Sequence, residues 1–429
     1  MLSSGNSLIS KNAGRRKTNM INDKKKQKIT RVKRAAATGL ALFLAGVFSL
    51  GVPYIRAEEE LQEEEFAAEL VGEGRTEDAS APELTGLVFE KQMDFTYAEC
   101  ADVYYYEGGY KYFRVYDSAD YLLVPENGEI PENLSADVVI LHKPQNIYMA
   151  ATGAMALFNA MDGLDHIAFS SVTAENWYVQ AAQDAMNNGE IIYAGKYSAP
   201  DFELLISRDC DLAVESTMIL HTPKVQEMLQ NLGIPVFIDR SSYEPHPLGR
   251  TEWVKVYGAM LDQEEAADSF FQSQSQVLEE LKDIENSGKT VAFFYVNTNG
   301  TIVVRRPGDT VPIMIELAGG NYALNDVSSL EGTMRSSVSM TMEEFYANAV
   351  DADYLIYNST IASPIYTLQD LLDKSPLFAD FKAVQEGNVW CADKYLYQAT
   401  DIVGELIRDF YHMLNDGDED QMTFLYKIN

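Results

Sequence analysis

The sequence predicts an α/β protein of two lobes joined by one long helix, on three observations. Short apolar segments alternate with helical segments in the first half of the chain. The same alternation returns in the second half, and a proline-free stretch of helical periodicity separates the two halves. Since strands that alternate with helices form parallel sheets covered on both faces, each half is expected to form a Rossmann-like lobe.

The first 57 residues have the pattern of an export signal or a membrane anchor. Eleven Lys/Arg and one Asp within 1–34 precede an uncharged apolar run over 35–52, and a candidate cleavage site ends at Ala57. The apolar run is also at the lower length limit for spanning a membrane. A cleaved signal and a retained anchor both remain open, and both predict an extracytoplasmic protein, either secreted or anchored at the outer face of the membrane.

Residues 58–85 are predicted to form an acidic linker. The segment 58–83 holds eleven Asp/Glu against one Arg and has too little apolar content to bury a core. The net charge is −32 for the whole chain and about −43 for the part after Ala57. Because such a surface repels phosphate backbones, no nucleic-acid partner is expected.

The N-terminal lobe is predicted over 86–242. Aromatic alternation over 103–125, with a turn at Gly108-Gly109, predicts a β-hairpin. Further strands are predicted at 138–141, 166–172, 190–196, 211–217 and 234–239. The segments between them, predicted mainly as helices, are 147–161, 176–186, 201–206 and 223–233.

A hinge and spine helix are predicted over 243–287. The motif SSYEPHPLGRTEW (241–253) contains two prolines that stiffen the chain, and its Thr251 is expected to cap the spine helix, with Glu252 near the positive end. Apolar residues then recur at helical spacing as far as Asn286. One continuous helix of this length would span about 50 Å.

The C-terminal lobe is predicted over 288–429. Its strands are predicted at 290–297, 301–306, 353–360 and 388–392. Its helices are predicted at 310–320, 342–350, 402–414 and within 367–386.

Candidate ligand-binding residues follow the predicted strands, because ligands of open α/β sheets bind beyond the carboxyl ends of the strands. These loops are rich in hydroxyl and amide groups, which suit binding better than catalysis. In the first lobe and hinge the candidates are Lys143, Gln145, Asn146, Ser171, Glu215, Ser216, Thr217, Ser241, Tyr243, Glu244 and Arg250. In the second lobe they are Asn297, Thr298, Arg305, Arg306, Asn358, Ser359 and Tyr395.

The pair Arg305-Arg306 is unusual in an acidic chain. Guanidinium groups bind anionic ligands bidentately, while ordinary ion pairing with nearby acids is the alternative. Arg250 is expected either to brace the hinge or to reach the ligand.

No catalytic, cofactor or metal site is predicted. The sequence contains no phosphate-binding loop, GxSxG or HExxH motif. Its five histidines are scattered, although His142 and His246 both follow predicted strands and so could meet. Three widely spaced cysteines exclude a disulfide scaffold and are expected to be buried thiols.

Five stretches carry a resemblance to a known family: YAGKYSAPDFELL (193–205), LAVESTMILHTPKV (212–225), GIPVFIDRSSYEPHPLGRTEWVKVYG (233–258), IELAGGNYALND (315–326) and the NVW…YQATDIVGEL region (388–406). With the export signal, acidic linker and spine helix, they resemble solute-binding proteins of ATP-driven importers for ferric siderophores, haem and cobalamin. These are the class III binding proteins with a helical backbone, and the similarity is to a Gram-positive or clostridial branch. It covers roughly residues 86–415.

The resemblance implies a monomer that binds ligand between its lobes, closes modestly and docks on a membrane permease coupled to an ATPase. On the second lobe the docking position matches Glu343. The matching helix of the first lobe, 155–167, contains no Glu, so Asp162 or Asp165 would have to replace it.

The expected function is therefore capture of a metal chelate for import, without catalysis. An iron–siderophore complex is the first candidate ligand, followed by a corrinoid and haem. Two other classes remain open. One is a two-domain enzyme that uses Glu215, Glu244 or His246 in the cleft, and the other is a surface-anchored sensor or adhesion module.

Overall fold

A computed structural model of the chain describes residues 80–327, 336–417 and 419–428. The predicted export segment and the linker up to residue 79 lie outside these ranges. Within the described part, every helix is too short or too polar to cross a membrane.

The first described element is a five-stranded sheet, the N-terminal sheet. Its strands are β1 (Phe89–Gln92), β2 (Ala101–Tyr106), β3 (Tyr110–Val115), β4 (Asp120–Leu123) and β5 (Val139–Leu141). β1 to β4 pair antiparallel, and the predicted hairpin is confirmed at Gly108 and Gly109, both of which have positive φ. β5, expected among the strands of the parallel sheet, instead pairs with β4.

The first-lobe sheet is five-stranded and parallel, with the order β12-β11-β6-β7-β8. These strands and the small β9–β10 hairpin are β6 (Ile147–Met149), β7 (Ile167–Ser170), β8 (Ile192–Tyr193), β9 (Gly195–Lys196), β10 (Ala199–Pro200), β11 (Leu212–Ser216) and β12 (Val236–Asp239). The helices between them are α1 (Thr152–Ala160), α2 (Gln180–Asn187), α3 (Phe202–Ser207) and α4 (Pro223–Asn231).

One predicted helix boundary in this lobe is wrong. Residues 147–149 were expected to begin a helix, but they form the central strand β6, and the helix starts only at Thr152. All three residues are buried between β11 and β7. A short apolar run has the same pattern in a buried strand and in a buried helix, so the sequence did not separate the two.

The spine is helical but interrupted, so the expectation of one continuous helix from Thr251 is wrong. Three helices follow one another: α5 (Pro247–Glu252), α6 (Val254–Leu261) and α7 (Glu264–Leu281). Asp262 has φ 57°, a left-handed conformation that ends α6. α6 and α7 then approach closely, since a Cβ on Gly258 would lie 2.6 Å from the Cβ of Ala267.

The predicted cap of the spine is also wrong. His246 caps α5, because its Nδ1 accepts the backbone N–H of Leu248 at 3.2 Å. Thr251 lies inside α5 and donates its hydroxyl to the carbonyl of Thr400 at 2.8 Å. Glu252 is fully buried at the end of α5 rather than at a positive helix terminus.

A buried lysine holds the spine against the N-terminal sheet. The ammonium group of Lys111 on β3 donates to the carbonyl of Ala259 and to the carboxylates of Asp262 and Glu264, each at 2.7 Å. Because Asp262 and Glu264 flank the interruption between α6 and α7, this one cation bonds to both sides of the helix break.

The second-lobe sheet is mixed, with the order β16-β14-β13-β17-β18-β19 and β15 beside β13. β13, β17 and β18 pair parallel, while β14, β16 and β19 pair antiparallel. The strands are β13 (Thr290–Val296), β14 (Ile302–Arg305), β15 (Asn321–Tyr322), β16 (Ser337–Met340), β17 (Tyr354–Asn358), β18 (Val389–Ala392) and β19 (Leu425–Lys427). The helices are α8 (Thr310–Leu317), α9 (Met342–Ala349), α10 (Leu368–Lys374), α11 (Lys382–Glu386) and α12 (Val403–Leu414).

The described residues therefore confirm the α/β class, with a sheet in each half and a helical connection between them. We retain 86–242, 243–287 and 288–429 as proposed boundaries of the lobes and hinge.

Candidate functional site

A cavity of about 410 Å³ lies between the first-lobe sheet and the second-lobe sheet, against the start of the spine. From the first lobe it is lined by residues just beyond β6, β11 and β12, among them Thr152, Ser216 and Arg240. From the second lobe it is lined by Tyr295 on β13 and by Arg305 at the end of β14. The carboxyl ends of the first-lobe strands thus open on the cavity, as expected for an open parallel sheet.

Four guanidinium groups converge on this cavity. They come from the first lobe (Arg240), the hinge (Arg250) and the second lobe (Arg305 and Arg306). Within the described part of the chain, the Nε atoms of Arg240, Arg250 and Arg306 are buried and have no hydrogen-bond partner. Burial lowers the pKa of Arg250, although Asp239 and Asp309 oppose the shift. Because arginine stays protonated in proteins, these groups offer positive charge and unused donors to a ligand.

Arg305 is held in place by partners of its own lobe. Its Nη1 lies 3.5 Å from the carboxylate of Asp309 and 3.4 Å from the hydroxyl of Ser336. Its guanidinium carbon lies 4.8 Å from the ring centroid of Tyr397, in a cation–π contact. These contacts orient the side chain while other faces of the guanidinium remain available to a ligand.

Asp239 supports the wall of the cavity. Its carboxylate accepts hydrogen bonds from the N–H of Ser241 at 2.9 Å, from the hydroxyl of Ser241 at 2.6 Å and from the hydroxyl of Tyr257. Burial raises its pKa, while these hydrogen bonds and Arg250 act in the opposite direction. The side chain therefore links the end of β12 to the spine helix.

Glu244 also builds the wall. Its carboxylate accepts the backbone N–H groups of Glu99 at 2.6 Å and Cys100 at 2.9 Å, and the indole N–H of Trp253 at 2.6 Å. Burial raises the pKa of Glu244 to about 7, against the effect of these donors. Because the Glu244 carboxylate already accepts three hydrogen bonds from the protein, we assign it a structural role rather than ligand binding.

Glu244 gives a pH-dependent stability with a defined sign. A folded-state pKa of about 7, above the ordinary 4.5, means that its contribution is complete below pH 4.5 and is lost as the pH rises through 7. The loss amounts to at most about 3 kcal/mol. We expect the free energy of unfolding of the wild type, relative to Glu244→Gln, to fall between pH 4.5 and 7.5 in urea titrations. Parallel pH profiles for the two proteins would contradict this.

Eight of the residues proposed from sequence line the cavity. Two lie at the end of β11 and directly after it, three lie in the 3₁₀ turn Ser241–Tyr243 and at its C-cap Glu244, and three are arginines. They are Ser216, Thr217, Ser241, Tyr243, Glu244, Arg250, Arg305 and Arg306. Thr217 and Tyr243 also contact each other through their hydroxyl groups at 3.1 Å.

Lys143, Gln145 and Asn146 lie away from the cavity lining. Since 147–149 is a strand, these residues precede β6 and lie at the amino end of the first-lobe sheet. Lys143 pairs with Asp262 at 3.1 Å. The backbone N–H groups of Gln145 and Asn146 donate to Asp211 at 2.8 and 3.0 Å.

Ser171 directly follows β7, and Glu215 lies within β11; neither lines the cavity. Glu215 is fully buried, and neither carboxylate oxygen has a hydrogen-bond partner in the described residues. Burial raises its pKa well above the ordinary range. Alternation along β11 places it on the same face as Ala213, which packs with Tyr148 in an apolar cluster beneath α3 and α4.

The remaining second-lobe candidates are engaged in loop contacts outside the lining. Asn297 and Thr298 form the turn between β13 and β14. Asn358 ends β17 and Ser359 follows it; both are buried, and the Ser359 hydroxyl donates to the Ala392 carbonyl. The remaining candidate, Tyr395, contacts the first lobe.

Sequence reasoning missed several lining residues, including Thr152, Asp239, Arg240, Tyr295 and Tyr397. Asp239 ends the run IPVFID (234–239) and Arg240 follows it directly, so both could have been found from that position. Thr152 could not be found while 147–161 was taken as one helix.

Among the described residues, no group of three or more His, Cys, Asp and Glu side chains is placed to hold a metal ion. His142 contacts the Val124 carbonyl at 3.1 Å, and His246 stacks on Tyr97 at 4.2 Å between ring centroids. His142 and His246 thus each contact a neighbouring group of the protein, and they are not described in contact with each other. All three cysteines are buried and free, as predicted.

Comparison with known proteins assigns the family. The family model described as periplasmic binding protein matches residues 151–396, more than half of the chain. An uncharacterised lipoprotein of Methanocaldococcus jannaschii is 26% identical over 71% of this chain and 75% of its own length. A periplasmic binding protein from Veillonella parvula has a TM-score of 0.52 at 15% identity, covering 63% of this chain and 90% of that one.

A second solved structure with the same fold is the periplasmic heme-binding protein of Vibrio cholerae. Its TM-score is 0.51 at 16% identity, over 62% of this chain and 99% of that one. The chain therefore belongs to the periplasmic binding protein family, whose members bind solutes and are not enzymes.

Proposed function

We propose that this protein is the substrate-binding component of an ATP-driven importer and that it captures an iron–siderophore-type chelate between its lobes. The observation that carries the proposal is the cavity between the sheets, lined by guanidinium and hydroxyl groups from both lobes. Hydroxyl groups and buried Nε–H donors suit the polar rim of a chelate. The four arginines favour a chelate that carries negative charge.

The fold likeness leaves the ligand open, because the solved relatives share only about one residue in six or seven. One of them is named for heme, and a Staphylococcus epidermidis relative is described as possibly iron-binding. Haem is the alternative ligand that these names support, and a corrinoid is the further alternative from the sequence resemblance.

We further propose that the protein works as a monomer on the outer face of the membrane and delivers its ligand to a permease. The lipoprotein name of the M. jannaschii relatives supports anchoring. Glu343 is exposed in the first turn of α9, and Asp162 and Asp165 are exposed between α1 and β7. These three carboxylates are the proposed docking groups.

The proposal is tested by native mass spectrometry and intrinsic-fluorescence titration of the purified chain with ferric siderophores, cobalamin and haem. Trp177, Trp253 and Trp390 are distributed over the first lobe, the spine and the second lobe, so closure should change the emission. We expect one ferric chelate to bind with 1:1 stoichiometry and to be recovered unchanged. Failure of all three ligand classes to bind would contradict the proposal.

A further inference from the structure

Residues 395–400, here called the clasp segment, connect the two lobes by direct contacts, in addition to the covalent connection through the spine. The segment follows β18 and leads into α12 of the second lobe. Its central contact is Gln398, whose side-chain N–H donates to the carbonyl of Asn176 at 3.1 Å. The side-chain oxygen of Gln398 accepts the backbone N–H of Tyr178 at 2.9 Å. One amide therefore binds two peptide groups of the opposite lobe.

Two further residues of the clasp segment contact the first lobe. The hydroxyl of Tyr395 donates to the carbonyl of Glu175 at 3.3 Å. The hydroxyl of Thr400 donates to the carbonyl of Gly153 at 2.6 Å. The lobes are in close contact here, because a Cβ on Gly153 would lie 3.0 Å from the Thr400 methyl group.

The same segment also reaches the cavity. Tyr397 lines the cavity, and its ring packs against the guanidinium of Arg305 at 4.8 Å. Its hydroxyl lies 3.4 Å from the side-chain nitrogen of Asn358. Gln398 is its immediate neighbour in the chain and lies outside the cavity lining. A ligand that fixes Arg305 and Tyr397 would therefore also restrict the position of Gln398.

We propose that the clasp segment is a positioning device that couples occupancy of the cavity to closure of the lobes. The coupling rests on the proposed ligand-binding function. A ligand shifts the population toward the closed arrangement by as much as it favours that arrangement. Contacts at Tyr397 provide this preference, and the Gln398 hydrogen bonds add to the stability of the closed state.

The test compares Gln398→Ala with Gln369→Ala in the full chain. Gln369 is an exposed glutamine of α10 that bonds Asp373 within its own helix, so it is a matched control. Spin labels at Glu203→Cys and Glu386→Cys, exposed positions on the two lobes, report the inter-lobe distance distribution by pulsed EPR. Without ligand, we expect Gln398→Ala to broaden this distribution toward longer distances and Gln369→Ala to leave it unchanged.

Ligand kinetics supply the second measurement, by stopped-flow fluorescence with ferric citrate, haem and cyanocobalamin as probes. For each probe that binds, Gln398→Ala should speed dissociation about five- to tenfold, as expected for two lost hydrogen bonds, with little change in association. Gln398→Glu keeps the acceptor oxygen but loses the N–H donor, so its dissociation rate should lie between those of the wild type and Gln398→Ala.

Unchanged distance distributions and dissociation rates in Gln398→Ala would overturn the clasp. If none of the probes binds, the proposed function loses support, while the distance distribution still decides whether the clasp exists.

Discussion

Glu252→Ala should lower the free energy of unfolding by about 3–5 kcal/mol, the range for removing one partner from a buried charged cluster. Glu252 is fully buried. Its carboxylate accepts the backbone N–H groups of Thr96 (2.8 and 3.0 Å), Tyr97 (2.7 Å) and Ala98 (2.9 Å), and it pairs with Lys255 at 2.9 Å. Truncation leaves these N–H groups and the ammonium group buried without their acceptor, so the folded state bears their desolvation penalty without a compensating hydrogen bond.

The measurement is chemical unfolding of the purified chain, followed by circular dichroism. Glu265→Ala is the matched control, because Glu265 is an exposed acid in the first turn of α7 and should change stability by only about 0.5 kcal/mol. Equal losses for the two variants would contradict the role assigned to Glu252.

Arg305→Ala should weaken binding of an anionic ferric chelate by roughly 30-fold or more, since truncating one side of a buried charge pair costs about 2–5 kcal/mol in binding. A neutral chelate should lose much less. The reason is that Arg305 is oriented by Asp309 and Tyr397 toward a cavity that also receives Arg250. An anion at this point would interact with guanidinium groups from the hinge and from the second lobe.

Fluorescence titration with ferric citrate as the anionic probe and ferrichrome as the neutral probe measures this difference. Arg208→Ala is the control, because Arg208 is exposed at the end of α3 and lies outside the cavity lining. Equal losses of both chelates in Arg305→Ala would contradict charge recognition by this residue.

Much of the candidate site could be predicted from the loops that follow strands. Ser216, Thr217 and Ser241 were found this way, because the strands before them are apolar runs bounded by polar residues. Lys143 was placed at the wrong end of the sheet relative to the cavity, because the strand β6 was taken as part of a helix. When a strand of a parallel sheet is mistaken for part of a helix, the loop before that strand is assigned to the carboxyl edge of the sheet although it lies at the amino edge.

The spine shows a second limit. The apolar residues recur at helical spacing from Thr251 onward. This spacing shows which face of a helix is apolar, but it does not show whether one helix continues or several follow one another. Asp262 tolerates the left-handed conformation better than most residues, and its carboxylate receives Lys111 from β3. That partner lies 151 positions away in the chain.

By itself, the sequence determined the two α/β lobes, the helical connection and the absence of an ordinary catalytic motif, because these depend on local periodicity and residue type. The tertiary structure alone decided which acids are buried. Glu252 binds backbone groups 154–156 residues away, and Glu244 binds others 144 and 145 away. Burial and the hydrogen-bond partners of a carboxylate depend on which distant segments pack around it. No local pattern in the chain specifies that packing.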